Sequence, residues 1–189
     1  MLPLSSPRLP LLTLRTFRLL STSSVSSRGG AIITGASGQE IHLPPAETAV
    51  SKNYKKWIYC PEKRSIQTST HVGTDGSNKK AVGKVGEGAG FISPELAKTY
   101  ARNSALRLLA TVHEALGGDM TRVVQVTKLV GIVNAKEDFT GHASVINGCS
   151  EALIEALGED RGVGVRVCQG AGSCPGAVTC DLEIRVRPP

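Results

Sequence analysis

RVVQVTKLVGIV, residues 122–133, decides the fold. Val123, Val124, Val126, Val130, Ile132 and Val133 make the run β-branched, which favours a strand over a helix. Both alternating sets are largely apolar, so the strand is expected to be central and covered on both faces. A helix is predicted immediately upstream, over Pro94–Leu116. Ser93 suits the N-cap, Pro94 the first helical position, and Glu95 the positive end of the helix dipole. Ala101, Ala105, Leu108, Leu109, Val112 and Leu116 recur at three- to four-residue steps, and Gly117-Gly118 stops the run. Downstream, Phe139–Leu157 repeats the helical pattern with Val145, Cys149, Ala152, Leu153 and Ala156 on one side.

Four more strands complete the pattern. Lys55–Cys60 and Ser65–Val72 flank a hairpin connection at Pro61-Glu62-Lys63-Arg64. Val163–Cys168 and Val178–Val186 end the chain, the last with Leu182, Ile184 and Val186 alternating with Glu183, Arg185 and Arg187. Residues 29–53 are rich in Gly, Pro and Ser, with room for at most one short strand; 29–42 reads as a linker and 43–189 as the domain. The glycine-rich stretch 73–90 is expected to hold one short strand around Lys84-Val85. The order strand, strand, helix, strand, helix, strand, strand implies an α+β layer with both helices on one face of a mixed sheet. The other face then needs a cover, which an oligomer supplies.

Residues 1–28 differ in character. They hold Arg8, Arg15, Arg18 and Arg28, many Ser and Thr, an apolar face from Leu11 to Leu20, and no acid before Glu40. An Arg- and Ser-rich, acid-free amphipathic leader reads as a mitochondrial transit peptide, in preference to a plastid one of similar composition. Arg15 and Arg18 interrupt what would be the apolar region of a secretory signal. The expected address is the mitochondrial matrix, where further protein partners are conceivable.

The leader also reinterprets the charge. The formal charge is +6, but the leader contributes four arginines and no acid, so the remainder carries +2. That balance speaks against nucleic-acid binding despite a pI near 9.2. No apolar run is long enough for a membrane span. Aromatic residues make up only 4% of the chain, so the core is expected to consist of Val, Leu, Ile and Ala. Five cysteines with no C-x-x-C pair imply no disulfide framework. Cys168, Cys174 and Cys180 recur every six residues, but Cys168 and Cys180 fall in strands, where free cysteines pack as small hydrophobes. No metal site is expected.

Several landmarks share an order and spacing with a known family. They are Leu43-Pro44-Pro45-Ala46, Asn53-Tyr54, Gly83-Lys84-Val85-Gly86, Ala101-Arg102-Asn103, Val126–Asn134, Asp138-Phe139, Ile146-Asn147 and Pro175. Over residues 43–186 the chain resembles the RidA/YjgF proteins, the reactive-intermediate imine deaminases. The resemblance implies a homotrimer of chorismate-mutase-like α+β subunits with active sites between them. It also implies hydrolysis of 2-iminopropanoate and 2-iminobutanoate to 2-keto acid and ammonia, with no metal or cofactor. On this basis Arg166, nine residues before Pro175, matches the family's carboxylate-binding arginine. Asp181, six residues after Pro175, matches a water-positioning glutamate. Cys168, Asn147 and Tyr54 match a site cysteine, a pocket asparagine and a pocket tyrosine.

The residue types suit that chemistry. A guanidinium grips a carboxylate through two parallel bonds. A carboxylate can hold and activate water for attack on the imine carbon. The chain departs from the family at Ser69-Thr70-His71, where Ser-Gly-Gln is usual, and in carrying Asp181 for Glu. Those departures leave an alternative function, a non-catalytic accessory or structural subunit of a mitochondrial assembly.

Overall fold

The helix anticipated after Ser93 forms as α1, Pro94–Ala115, in a computed structural model that describes residues 24–25, 29–47 and 52–188. Ser93 Oγ accepts from the Leu96 N–H at 3.3 Å, one of the orphan donors of the first turn. Gly117 and Gly118, both at positive φ, follow the end of the helix. The second helix, α2, runs His142–Leu157. It starts three residues later than the apolar pattern suggested: Lys136–Phe139 forms a turn closed by the Phe139 N–H donating to the Lys136 carbonyl, and Phe139 packs edge-on against His142. The helices pack closely at Gly148, where a Cβ would lie 2.1 Å from the Lys98 carbonyl oxygen. A short turn of helix, α3 (Glu159–Gly162), which periodicity did not reveal, links α2 to the next strand.

Among the described residues, nine strands form two sheets. The smaller joins β1 (Ser24–Val25), β2 (Ala31–Thr34) and β3 (Glu40–His42). The larger contains β4 (Trp57–Cys60), β5 (Ser65–Thr68), β6 (His71–Val72), β7 (Val123–Asn134), β8 (Val165–Ala171) and β9 (Val178–Val186). Its order is β4-β5-β9-β7-β8, with β6 also paired to β9, and only the β7–β8 pair is parallel. The expected mixed sheet with both main helices on one face is the observed architecture. That face buries Leu129, Val133, Cys180, Leu182 and Ile184 against α1 and α2.

Three expectations need correction. The stretch taken to hold at most one short strand contains two, and Ile33, Ile41 and Leu43 enter the core. The β2–β3 turn docks on the end of α2: the Ala36 N–H and Gln39 Nε2 both donate to the Glu155 carbonyl, at 3.0 and 3.2 Å. No strand forms at Lys84-Val85; Val85 is fully buried and makes isolated bridges to Ile92 and Ala135. The strand β7 is covered on one face only, since Lys128 on its other face is exposed and Val130 and Ile132 are half-buried. The leader reading of 1–28 lies outside the described residues except at Ser24–Val25, which forms β1.

Candidate functional site

Register fixes which way each candidate side chain faces. On β7, Leu129 pairs with Arg166 of β8 and Leu182 of β9; the next residue, Val130, pairs with Val167 and Asp181. Successive strand residues point to opposite faces. Arg166 therefore faces the helices and Asp181 the open side of the sheet. Within one chain the arginine and the carboxylate do not share a pocket.

Arg166 is held from α2. Its Nη1 donates to Asn147 Oδ1 at 2.7 Å and to Ser150 Oγ at 3.1 Å. Both acceptors are neutral, and among the described residues no carboxylate comes within ion-pair distance of Arg166. The guanidinium is thus oriented without being neutralised. Sequence reasoning singled out Arg166 and Asn147, which the structure brings together, and missed Ser150. The signal was present: Ser150 follows Asn147 by three residues, on the same helix face. Arg166 and Ser150 line a cleft of about 190 Å³ whose other lining side chains are aliphatic.

Cys168, two residues along β8, shares the helix-facing side and is half-buried; it and Cys180 both pair with Gly131. Burial pushes its thiol up from the ordinary value, and the Arg166 charge only partly opposes this. A thiol held up in this way is a poor nucleophile at neutral pH. Tyr54 lies elsewhere. It is 51% exposed in the segment leading to β4, which forms the opposite edge of the sheet from β8.

Asp181 occupies the open face with Thr179 and Glu183 of β9 and with Val130 and Val167 beside it. It faces a bulge. Gln67 pairs with Glu183 and His71 with Cys180, so residues 68–70 lie against only Asp181 and Leu182. Thr68 fills the break in the ladder, its Oγ1 accepting from the Leu182 N–H at 3.0 Å. Bulges of this kind re-aim side chains beside functional sites. Burial pushes the Asp181 carboxyl above the usual carboxylate range, against the opposing charges of Lys128 and His71. A carboxylate adjusted in this direction is better suited to accept a proton near neutral pH.

The two residues that depart from the family pattern have separate environments. Thr70 is exposed in the bulge opposite Asp181. His71 is buried on the helix side, with Nε2 2.7 Å from Thr111 Oγ1 and Nδ1 2.8 Å from the Ser69 carbonyl. Burial lowers its proton affinity, so the ring is neutral at physiological pH. It is a hydrogen-bonded core residue.

The open face is also apolar. Val165 and Val167, in register with Lys128 and Val130, are 68% and 40% exposed, and Ile58 of β4 is 45% exposed. Apolar strand residues at this exposure are the kind of surface that another subunit covers.

No family model matches the sequence. The curated Trypanosoma cruzi protein TCP17 is 32% identical over 87 residues, which make up 46% of this chain and 54% of that protein. The chain thus spans about half the length of the curated relative it matches. Among solved structures, a protein of unknown function from Agrobacterium tumefaciens is 26% identical, with a TM-score of 0.68 over 78% of this chain and 87% of its own. A protein described as a candidate endoribonuclease from Shewanella oneidensis is 19% identical, with a TM-score of 0.67 over 76% of this chain and 91% of its own. The chain shares the fold of both proteins, and the landmark order in its sequence resembles that of the RidA/YjgF family.

Proposed function

We propose that this protein hydrolyses reactive 2-imino acids to 2-keto acids and ammonia at sites formed between subunits of a homotrimer. The observation that carries this reading is Arg166: a guanidinium aimed by Asn147 and Ser150 and paired with no carboxylate among the described residues. Such a group is suited to a small carboxylate, which it can grip through its remaining N–H donors. The substrate's iminium carbon is already electrophilic, so the chemistry needs only a positioned water and a proton acceptor. Water adds to the C=N carbon as Asp181 takes its proton; Asp181 passes that proton to the nitrogen of the resulting carbinolamine, which expels ammonia as its hydroxyl proton returns to Asp181 and the C=O bond forms. Atoms balance as imine plus water giving ketone plus ammonia.

Arg166 and Asp181 face opposite sides of one sheet, so a second copy is required to bring them together. The exposed Val165 and Val167 supply an apolar reason for that copy to bind. The endoribonuclease description belongs to the Shewanella protein, whose likeness is one of fold, and a remainder charge of +2 offers little for a phosphate backbone. We place the activity in the mitochondrial matrix on the composition of residues 1–28.

The test is ammonia release from 2-iminopropanoate and 2-iminobutanoate, generated in situ, by the purified protein. Release above the uncatalysed rate is expected. If wild type and Asp181→Glu are both silent while a Thr70→Gly, His71→Gln variant is active, the bulge blocks the site and the accessory-subunit reading prevails.

A further inference from the structure

Two sequence landmarks that the proposed reaction does not use meet at a second cleft. Leu43-Pro44-Pro45, just after β3, and Asn103 of α1 join the Thr74–Asn78 loop around a space of about 720 Å³. That volume falls in the range of small-molecule sites. We infer that this cleft binds a small organic cation, a primary amine carried on an apolar body. None of the residues around it belongs to the Arg166 site, so the inference is independent of the proposed reaction.

The surface open to a ligand is of two kinds. Pro44, Pro45 and Leu106 are exposed or half-buried and supply apolar contact. Asp75, Asn78 and Asn103, also exposed or half-buried, supply polar groups. Among the described residues Asp75 is the one carboxylate in the lining, and no lysine or arginine lines the cleft. A cation with a hydrocarbon body complements that surface, whereas an anion meets a like charge.

Asp75 is set in place before any ligand arrives. Its Oδ1 accepts from the Ser77 N–H, the Ser77 hydroxyl and the Lys79 N–H at 2.9, 2.8 and 2.9 Å. The Ser77 hydroxyl first, and then the Lys79 N–H, hold the carboxyl below the usual carboxylate range, so it is charged at neutral pH. With Oδ1 spent on the loop, Oδ2 is the oxygen left for a ligand. One oxygen suits the point charge of an ammonium better than the two-pronged fork of a guanidinium. Asn103 stands beside it. Its Nδ2 donates to the Thr74 carbonyl at 2.6 Å, which leaves the amide oxygen to accept a second ammonium hydrogen.

The surrounding cations do not occupy this carboxylate. Arg107 donates to Asn78 Oδ1 at 3.4 Å but is paired with Glu47. Lys79 acts on Asp75 from an exposed position, where solvent screens its charge. The walls are also preformed. The Asp75 N–H donates to the Lys79 carbonyl at 2.8 Å and the Asn78 N–H to the Asp75 carbonyl at 3.0 Å, closing the loop on itself. A Cβ at Gly30 would run into the Leu43 carbonyl oxygen, so β2 packs directly against the Leu43-Pro44 segment.

The experiment is an NMR titration of the full chain with 2-phenylethylamine and, separately, with 3-phenylpropionate, an anion of similar size. The amine should produce saturable amide shifts at Gly76, Ser77, Asn78 and Asn103, which the anion leaves unmoved. Asp75→Asn keeps an oxygen for the three loop bonds but removes the charge. Exposed ion pairs are weak, so it should loosen the amine about two- to fivefold. Leu106→Lys, at a half-buried helix position, puts an ammonium of the protein's own into the cleft and should abolish amine binding. No saturable shift at these amides in wild type overturns the inference, as does an equal response to the anion. Amine affinity unchanged in both folded variants overturns it too. None of these outcomes bears on Arg166, which the ammonia-release assay tests separately.

Discussion

The two sides of the main sheet present opposite kinds of site. On the helix side, Arg166 is fixed by Asn147 and Ser150 at the edge of a formed cleft, and one chain supplies every part. On the open side, Asp181 sits half-buried in a row with Val130 and Val167, opposite a bulge, with neither helix packed over it among the described residues. The lesson is that, under the proposed function, binding and water activation are built on separate faces of one subunit. Under the proposed function, assembly is then part of catalysis: the carboxylate ligand exists in the monomer, but the complete reaction site does not.

Changes to the open face should have the largest effect. Val165→Glu with Val167→Glu places charges where subunits are proposed to meet, and burying an unpaired charge is prohibitive. Light scattering should show the trimer replaced by monomer, with imine hydrolysis lost alongside it. A stable wild-type monomer that retains full activity would remove the reason for linking the two faces.

Next comes Asp181→Asn, which keeps the shape but cannot accept the water's proton. Loss of a general base costs about 10²- to 10⁴-fold in rate. Asp181→Glu should preserve or raise activity, because the longer side chain matches the family residue. Neither change should alter product binding at Arg166, measured by titration with a 2-keto acid. Arg166→Ala should do the reverse, weakening ligand by roughly 1.5–3 kcal/mol, or about 10- to 150-fold, while the oligomer survives. Arg166→Lys should rescue poorly, as an ammonium cannot reproduce the two-pronged grip. Equal loss of binding in the Asp181 and Arg166 variants would blur the division between the faces.

The smallest effect concerns the core between them. His71 is kept neutral by burial, whereas the unfolded chain titrates it near 6.5. The unfolded state therefore binds more protons as pH falls through that value, and stability is lost on acidification below it. Burial acts on His113 in the same direction. Urea denaturation at pH 7 and pH 5 should show wild type weakening, and His71→Gln should make the dependence shallower without abolishing it.

Much of this organisation is legible in the sequence, and the reasons for the rest are physical. Ser93-Pro94-Glu95 and the apolar stripe behind it announce α1, because capping and amphipathicity are local. The strict alternation in Val178–Val186 announces β9 with its buried face. The β2–β3 hairpin was hidden because its strands are four and three residues long and their place depends on the end of α2. The facing of β8 was also hidden. The alternating Val165 and Val167 suggest a buried valine face, yet these valines are exposed, and Arg166, exposed as well, hydrogen-bonds to α2 on the other side. Under the proposed function the cover of these valines comes from another copy, which a single-chain hydrophobic pattern cannot anticipate. The same limit applies to the site: the family resemblance picks out Arg166, Asn147 and Asp181, but the separation of Arg166 and Asp181 onto two faces depends on the β7 register.

Mixing inactive subunits tests the central claim most directly. Arg166→Ala and Asp181→Asn proteins are dissociated, combined in equal amounts and reassembled, and ammonia release is compared with each variant alone. If each site takes its arginine from one chain and its carboxylate from the next, random assembly restores both groups at about one site in four. Activity near a quarter of wild type is the predicted result. A reassembled mixture no more active than the separate variants would contradict the account, because each site would then draw both groups from one chain.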